Sequence, residues 1–146
     1  MITRAITSLI LGILCLQTLY AQNPDTVIPV PTEVIMSKGI YSYSDEPDIK
    51  VTYVRTGMDE EGYELSITPK GVKIKASAQA GAFYALQTLN QMTCDGSIKE
   101  ICCCTIKDAP RFPYRGLHVD VSRHFRSVDF LKKQMDAMAR FKMNRM

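Results

Sequence analysis

The sequence predicts a small α+β layer followed by a separate strand-helix unit, and three patterns carry that reading. Two alternating runs, YELSIT at residues 63–68 and VKIKA at 72–76, flank the turn Pro69-Lys70-Gly71. Alternation puts Tyr63, Leu65 and Ile67 on one face and Glu64, Ser66 and Thr68 on the other, as a half-buried hairpin requires. The period then changes. In SAQAGAFYALQTLNQM, Ala82, Leu86 and Leu89 recur at helical spacing with Phe83 and Met92 beside them, which predicts an amphipathic helix over residues 78–92. Further on, the strand-like run LHVDV at 117–121 is followed by Val128, Leu131, Met135 and Met138, an apolar stripe at helical intervals.

The remaining elements follow in order. Residues 23–32 hold Pro24, Pro29 and Pro31 and read as an extended lead-in. IKVTYV at 49–54 is a short strand, and residues 57–62 form an acidic turn before the hairpin. ICCCTI at 101–106 is a strand that ends at Asp108-Ala109-Pro110. Strand, hairpin, helix, strand makes a sheet with a helix over one face. In the last unit Ser127 caps the helix, Asp129 sits in its first turn, and Asn144 marks its stop. Lys132, Lys133, Asp136 and Arg140 lie off the apolar stripe. A single strand and helix cannot cover both faces of a parallel strand, so this unit reads as a piece of a larger α/β fold.

Composition narrows the function. Hydrophobic residues make up 46% and charged residues 23% of the 146, with a net charge of +3. No basic run is interleaved with aromatics, which argues against a nucleic-acid binder. Arg4, the apolar run at 6–16 and Leu19-Tyr20-Ala21 before Gln22 read as a secretory signal peptide over residues 1–21. The apolar run is short for a membrane span. Leu14 stands before Cys15 where a lipid-anchor motif needs a small residue. The expectation is an exported protein, periplasmic or secreted to the cell surface, with 17 basic and 15 acidic residues after cleavage. Cys94, Cys102, Cys103 and Cys104 remain. Three consecutive cysteines lack the spacing that wraps a tetrahedral metal ion, so no metal site is predicted and the triplet reads as small thiols on a buried strand.

Four residues are candidates for chemistry. Asp120, Arg123 and His124 lie at the C-terminal end of the 117–121 run, where parallel α/β sheets bind ligands; a structural Asp120-Arg123 ion pair is the competing reading. Arg115 precedes that run. It is either a solvated arginine beside a proline turn or a buried one whose fixed donors suit sugar hydroxyls. The acidic clusters Asp45-Glu46 and Asp59-Glu60-Glu61 read as solvated turn charge. No nucleophile elbow, phosphate loop, dinucleotide motif or H-E-x-x-H occurs.

DAPRFPYRGLHVDVSRHF at 108–125, with KMN after the following helix, resembles the start of the catalytic barrel of glycoside hydrolase family 20, the exo-acting β-N-acetylhexosaminidases. EGYELSITPKGVKIKASAQAGAFYALQTLNQM resembles the small α+β domain that precedes that barrel, and VIPVPTEV resembles its start. The resemblance implies an accessory domain over residues 22–110 and, over 111–146, the first strand and helix of a (β/α)8 TIM barrel, left incomplete. It implies substrates ending in N-acetylglucosamine or N-acetylgalactosamine and a retaining mechanism in which the substrate's own acetamido oxygen attacks. No cofactor is implied. By the same resemblance Arg115 matches an arginine that donates to the sugar's C3 and C4 hydroxyls, with Asp120, Arg123 and His124 in supporting positions around the pocket. The family's catalytic Asp-Glu pair lies beyond the KMN helix and is not in this chain, so the chain alone is expected to be inactive. Family members also carry a further helix and strand before the hairpin, in a stretch that is short here. A non-catalytic carbohydrate-binding module and a truncated product without function remain as other readings, and the sequence leaves linkage preference and oligomeric state open.

Overall fold

A computed structural model describes residues 24–55 and 57–146; the signal-peptide reading falls outside them. Five strands form one sheet: β1 Glu33–Ser42, β2 Ile49–Tyr53, β3 Tyr63–Thr68, β4 Gly71–Ala76 and β5 Glu100–Asp108, in the spatial order β1-β5-β3-β4-β2. The hairpin closes as predicted, with Thr68 opposite Gly71 and Leu65 opposite Ile74. β5 pairs antiparallel with both β3 and β1, whereas β2 adds to β4 in parallel. One face carries Leu65, Ile67, Val72, Ile74 and Ile106, all buried. Helix α1, Gln79–Met92, lies over that face and contributes Ala85, Leu89 and Met92. The other face is polar, with Lys75 paired to Glu64 at 2.9 Å and Lys107 to Glu33 at 3.1 Å, so the sheet is amphipathic as a one-sided layer must be.

Two details differ from the sequence reading. The lead-in opens with a 3-10 turn, Pro24–Thr26, that drops Val27 into the core. Gln91 of α1 then ties it down, accepting from Ile28 N and donating to the Ile28 carbonyl, both at 2.8 Å. The segment is thus pinned as a turn rather than running extended. Strand β1 was not predicted. Its register shifts between Met36 and Ile40, which pair with Cys104 and Cys102, leaving Ser37, Lys38 and Gly39 as a bulge. A bulge destroys the two-residue alternation that sequence patterning depends on. No further helix precedes the hairpin among the described residues; β1 and β2 fill that stretch. The cysteine reading fares better, in that Cys103 and Cys104 are buried free thiols in β5. Burial pushes the Cys104 thiol up to about 11, which keeps it protonated and poorly reactive at neutral pH.

Helix α1 approaches the turn before β3 closely enough that a Cβ on Gly81 would stand 2.2 Å from the Gly62 carbonyl oxygen. That oxygen belongs to backbone and cannot swing aside. Gly81→Ala is expected to lower the unfolding free energy by about 1–3 kcal/mol, measured by urea denaturation; a neutral effect would mean that the helix and turn can separate freely.

The last unit departs most from expectation. Residues 117–121 make no strand, because a strand exists only through neighbours. Instead a short parallel pairing joins the start of this segment to the end of the chain: Gly116 bridges Arg145, Leu117 N donates to the Arg145 carbonyl at 3.0 Å, and Asn144 N donates to the Arg115 carbonyl at 2.9 Å. Helix α2, Val128–Arg140, connects the two. Two parallel segments joined through a helix make a βαβ connection. Ser127 caps α2 by accepting from Phe130 N at 3.3 Å, and Ser127→Ala is expected to cost about 1 kcal/mol, read from the same denaturation curves. The helix stops at Arg140, before Asn144. Met143 N donates to the Met138 carbonyl and Lys142 N to that of Ala139, a Schellman cap that puts Lys142 at φ 58. Of the predicted apolar stripe, Met138 alone is buried; Val128 and Met135 are exposed, since the sheet layer reaches only the C-terminal end of α2.

Candidate functional site

The geometry around Arg115 is set by its backbone first. Its N–H donates to Asn144 Oδ1 at 3.0 Å, and its carbonyl accepts from Asn144 N. The side chain then turns toward the sheet layer. Nε donates to the Lys142 carbonyl at 2.7 Å. Nη1 donates to Glu61 Oε2 at 2.8 Å and to the Phe112 carbonyl at 2.7 Å. Nη2 donates to Tyr84 Oη at 3.1 Å, and the guanidinium lies 5.4 Å from the centre of the Tyr84 ring. These contacts use four of the five N–H donors of an arginine and leave one Nη2 hydrogen. Only 16% of the side chain is exposed, so the solvated-arginine reading does not describe it.

A second basic side chain crosses the same junction. Lys142 Nζ donates to Asp108 Oδ2 and to Tyr63 Oη, each at 2.8 Å, and its side chain is 7% exposed. Asp108 also accepts from Thr32 N and Thr32 Oγ1 at 3.2 Å and from Tyr63 Oη at 3.1 Å. Tyr63 Oη meets Thr88 Oγ1 at 2.6 Å. Burial lowers the Lys142 ammonium while its bond to Asp108 and the charge of Asp108 resist; the net is a lowered value. Burial, then the Asp108 charge, pushes the Tyr63 phenol well above its usual range, so it stays a neutral hydrogen-bonding group.

Between these two clusters lies a cleft of about 430 Å³. Arg111, Arg115, Lys142, Glu61 and Asp108 supply its charge, and Phe112 and Val30 are among its apolar walls. The signs are segregated. Glu61, Asp108 and Asp95 belong to the sheet layer, and their partners Arg115, Lys142 and Arg140 to the segment after Pro110. Such a cleft can hold hydroxyl groups against the remaining Arg115 donor. Burial raises Glu61, but hydrogen bonds from Arg115 and Asn144 and the Arg115 charge outweigh it and hold its carboxyl below the ordinary value, so Glu61 is a carboxylate rather than a proton donor.

That direction has a consequence for stability. A carboxyl lowered in the folded state contributes stability that is fully present above its ordinary 4.5 and is lost as pH falls through its lower folded value. Glu61→Gln is expected to flatten that part of the acid unfolding curve, followed by circular dichroism against pH. An unchanged acid limb would show that the pair does not favour the charged form.

Asp120, Arg123 and His124 lie apart from this cleft. Asp120 Oδ1 accepts from Ser122 N at 2.9 Å and Arg123 N at 3.0 Å, and Oδ2 pairs with Arg123 Nε. The Arg123 backbone bond, then its side chain and the Ser122 backbone, lower the Asp120 carboxyl. The arrangement is a local turn closed by an ion pair, with Arg123 85% exposed and His124 exposed. Sequence reasoning missed two residues of the junction. Glu61, read as solvated turn charge, is 22% exposed and fully engaged; the glycine beside it, pressed against Gly81, is the trace of that close approach. Lys142 stood inside KMN with no role.

Residues 41–109 match the family model described as glycosyl hydrolase family 20, domain 2, and residues 112–146 match the one described as glycosyl hydrolase family 20, catalytic domain. The chain belongs to glycosyl hydrolase family 20. This family 20 chain is 46% identical over 84 residues to the N,N'-diacetylchitobiase of Vibrio harveyi, a match covering 58% of the chain and 10% of the relative. It is 41% identical over 115 residues to the β-hexosaminidase of Porphyromonas gingivalis, covering 69% of the chain and 14% of that protein. Among solved structures, the Streptomyces plicatus N-acetyl-β-hexosaminidase in complex with Thio-NAglucal superposes with a TM-score of 0.78 at 26% identity, over 86% of the chain and 34% of that protein. The family 20 chain therefore spans a small part of the length of the relatives it matches. The two matched ranges meet at residues 109–112, beside the cleft that Asp108, Phe112 and Arg115 line.

Proposed function

We propose that residues 24–146 supply the accessory domain and the opening βαβ turn of the barrel of an exported β-N-acetylhexosaminidase. The substrates are glycans ending in N-acetylglucosamine or N-acetylgalactosamine. The observation that carries this reading is the parallel pairing of residues 115–117 with 144–145 around α2, directly after a five-stranded layer. A parallel pair with an exposed apolar helix stripe calls for further strands and helices on both sides, as a closed barrel provides. In that setting Arg115 donates its remaining Nη2 hydrogen to a hydroxyl of the terminal sugar. Asp120 and its turn hold the mouth of the first strand, with Arg123 and His124 beside it. The proton donor to the leaving group lies outside these 146 residues, and Glu61, held as a carboxylate, does not replace it.

The test is hydrolysis of an aryl N-acetyl-β-glucosaminide. The full-length protein is expected to release the aryl alcohol, and residues 1–146 alone to release none. Specific release by the 146-residue chain would overturn the placement of the acid; no release by the full-length protein on either N-acetylhexosamine would overturn the substrate class. Export is supported by residues 1–21 as a leader, and the mature protein recovered outside the cytoplasm is expected to begin at Gln22.

A further inference from the structure

We propose that Glu61 is a positioning residue for the sugar contact of Arg115, so that the sheet layer sets the geometry of the hydrolase's binding pocket. This rests on the sugar-contact reading given above.

The contacts of Arg115 fall into two groups. The carbonyls of Phe112 and Lys142 come from its own C-terminal segment. Glu61 and Tyr84 come from the sheet layer, and Glu61 brings the one charged partner among the described residues. An arginine side chain has several rotatable bonds and gains direction only from partners that are themselves fixed. Glu61 is such a partner. Its turn is closed by Gly62 N donating to the Asp59 carbonyl at 2.8 Å. Ser77 Oγ clamps the same turn through the Asp59 and Glu60 carbonyls, and the Gly62–Gly81 approach presses it against α1.

Glu61 also holds both ends of the contact. Oε2 accepts from the Arg115 guanidinium, while Oε1 accepts from Asn144 Nδ2 at 3.2 Å. Asn144 in turn accepts from the Arg115 backbone N–H and donates to the Pro113 carbonyl at 2.9 Å. Backbone and guanidinium of Arg115 are therefore referred to one carboxylate on the sheet layer. With that carboxylate in place, the direction of the free Nη2 hydrogen is fixed before substrate arrives, which is how a supporting group lowers the cost of binding.

The experiment uses the full-length protein and an aryl N-acetyl-β-glucosaminide. Glu61→Ala is expected to raise KM about tenfold, with kcat changed less than about threefold, and Glu61→Gln, which keeps an acceptor oxygen without the charge, to raise KM by an intermediate factor. A purely structural role would lower the melting temperature and the fraction of active protein and leave KM alone. Should Glu61→Ala fold poorly, Glu61→Gln carries the test by itself. Wild-type KM in the folded Glu61 variants, alongside a raised KM in Arg115→Ala, overturns the positioning role and leaves the sugar contact standing. Wild-type KM in Arg115→Ala overturns the sugar contact, and the positioning role with it.

Discussion

Lys142→Ala is expected to lower the unfolding free energy of the chain by about 3–5 kcal/mol, because it strands a carboxylate in the junction. Asp108 and Lys142 are 12% and 7% exposed. With the ammonium removed, Asp108 keeps Thr32 and Tyr63, which can donate hydrogen bonds but supply no charge. The Tyr63 hydroxyl loses one donor as well. Alanine leaves the backbone cost unchanged, since both residues carry a Cβ at the φ of 58 that the helix cap imposes. The loss therefore reports the side chain alone. Lys142→Met combined with Asp108→Leu removes both charges while filling the space, and is expected to recover most of the loss. Urea denaturation of the three proteins checks this. A loss below about 1 kcal/mol in Lys142→Ala would put the pair in the class of exposed ion pairs and contradict its burial.

Arg115→Ala carries the second large effect, and it has two parts. In the chain itself the change removes the charged partner of Glu61, and it leaves the Tyr84 hydroxyl and the Phe112 and Lys142 carbonyls without a donor. The expected loss of stability is about 2 kcal/mol, discounted for the residual exposure of the pair. Under the proposed function, the expected fall in kcat/KM of the full-length protein is about 100-fold or more. Lysine cannot substitute, because an ammonium lacks the planar fork that reaches Glu61, Tyr84 and two carbonyls at once. Arg115→Met with Glu61→Gln separates the parts. Removing both charges is expected to restore stability and leave the activity low. Activity returning with stability in the double variant would reduce Arg115 to a structural tie.

The elements that were legible share one property: their pattern is local. The β3–β4 hairpin rests on alternation across six residues each side of a Pro-Lys turn, and α1 and α2 rest on spacings within one helix. β1 was hidden because its alternation is broken by the bulge at residues 37–39. The 117–121 run had strand-like alternation, but among the described residues its pairing goes no further than Leu117, and alternation without a ladder makes no strand. Arg115 was legible as a residue of interest. Its partners were not, since Glu61 lies 54 positions away and Lys142 binds Asp108 across 34.

The sequence by itself determined the hairpin, both helices, the family, and which arginine to watch. Only the tertiary structure decided what that arginine touches, and it decided that an acid taken for solvated turn charge is its ion-pair partner. The reason is physical. Periodicity records whether a side chain faces inward, because that depends on the few residues around it. The identity of a buried charge's partner depends on which segments meet. Here the Gly62–Gly81 approach and the cap of α2 at Lys142 bring the acids of the sheet layer against the bases of the segment that follows.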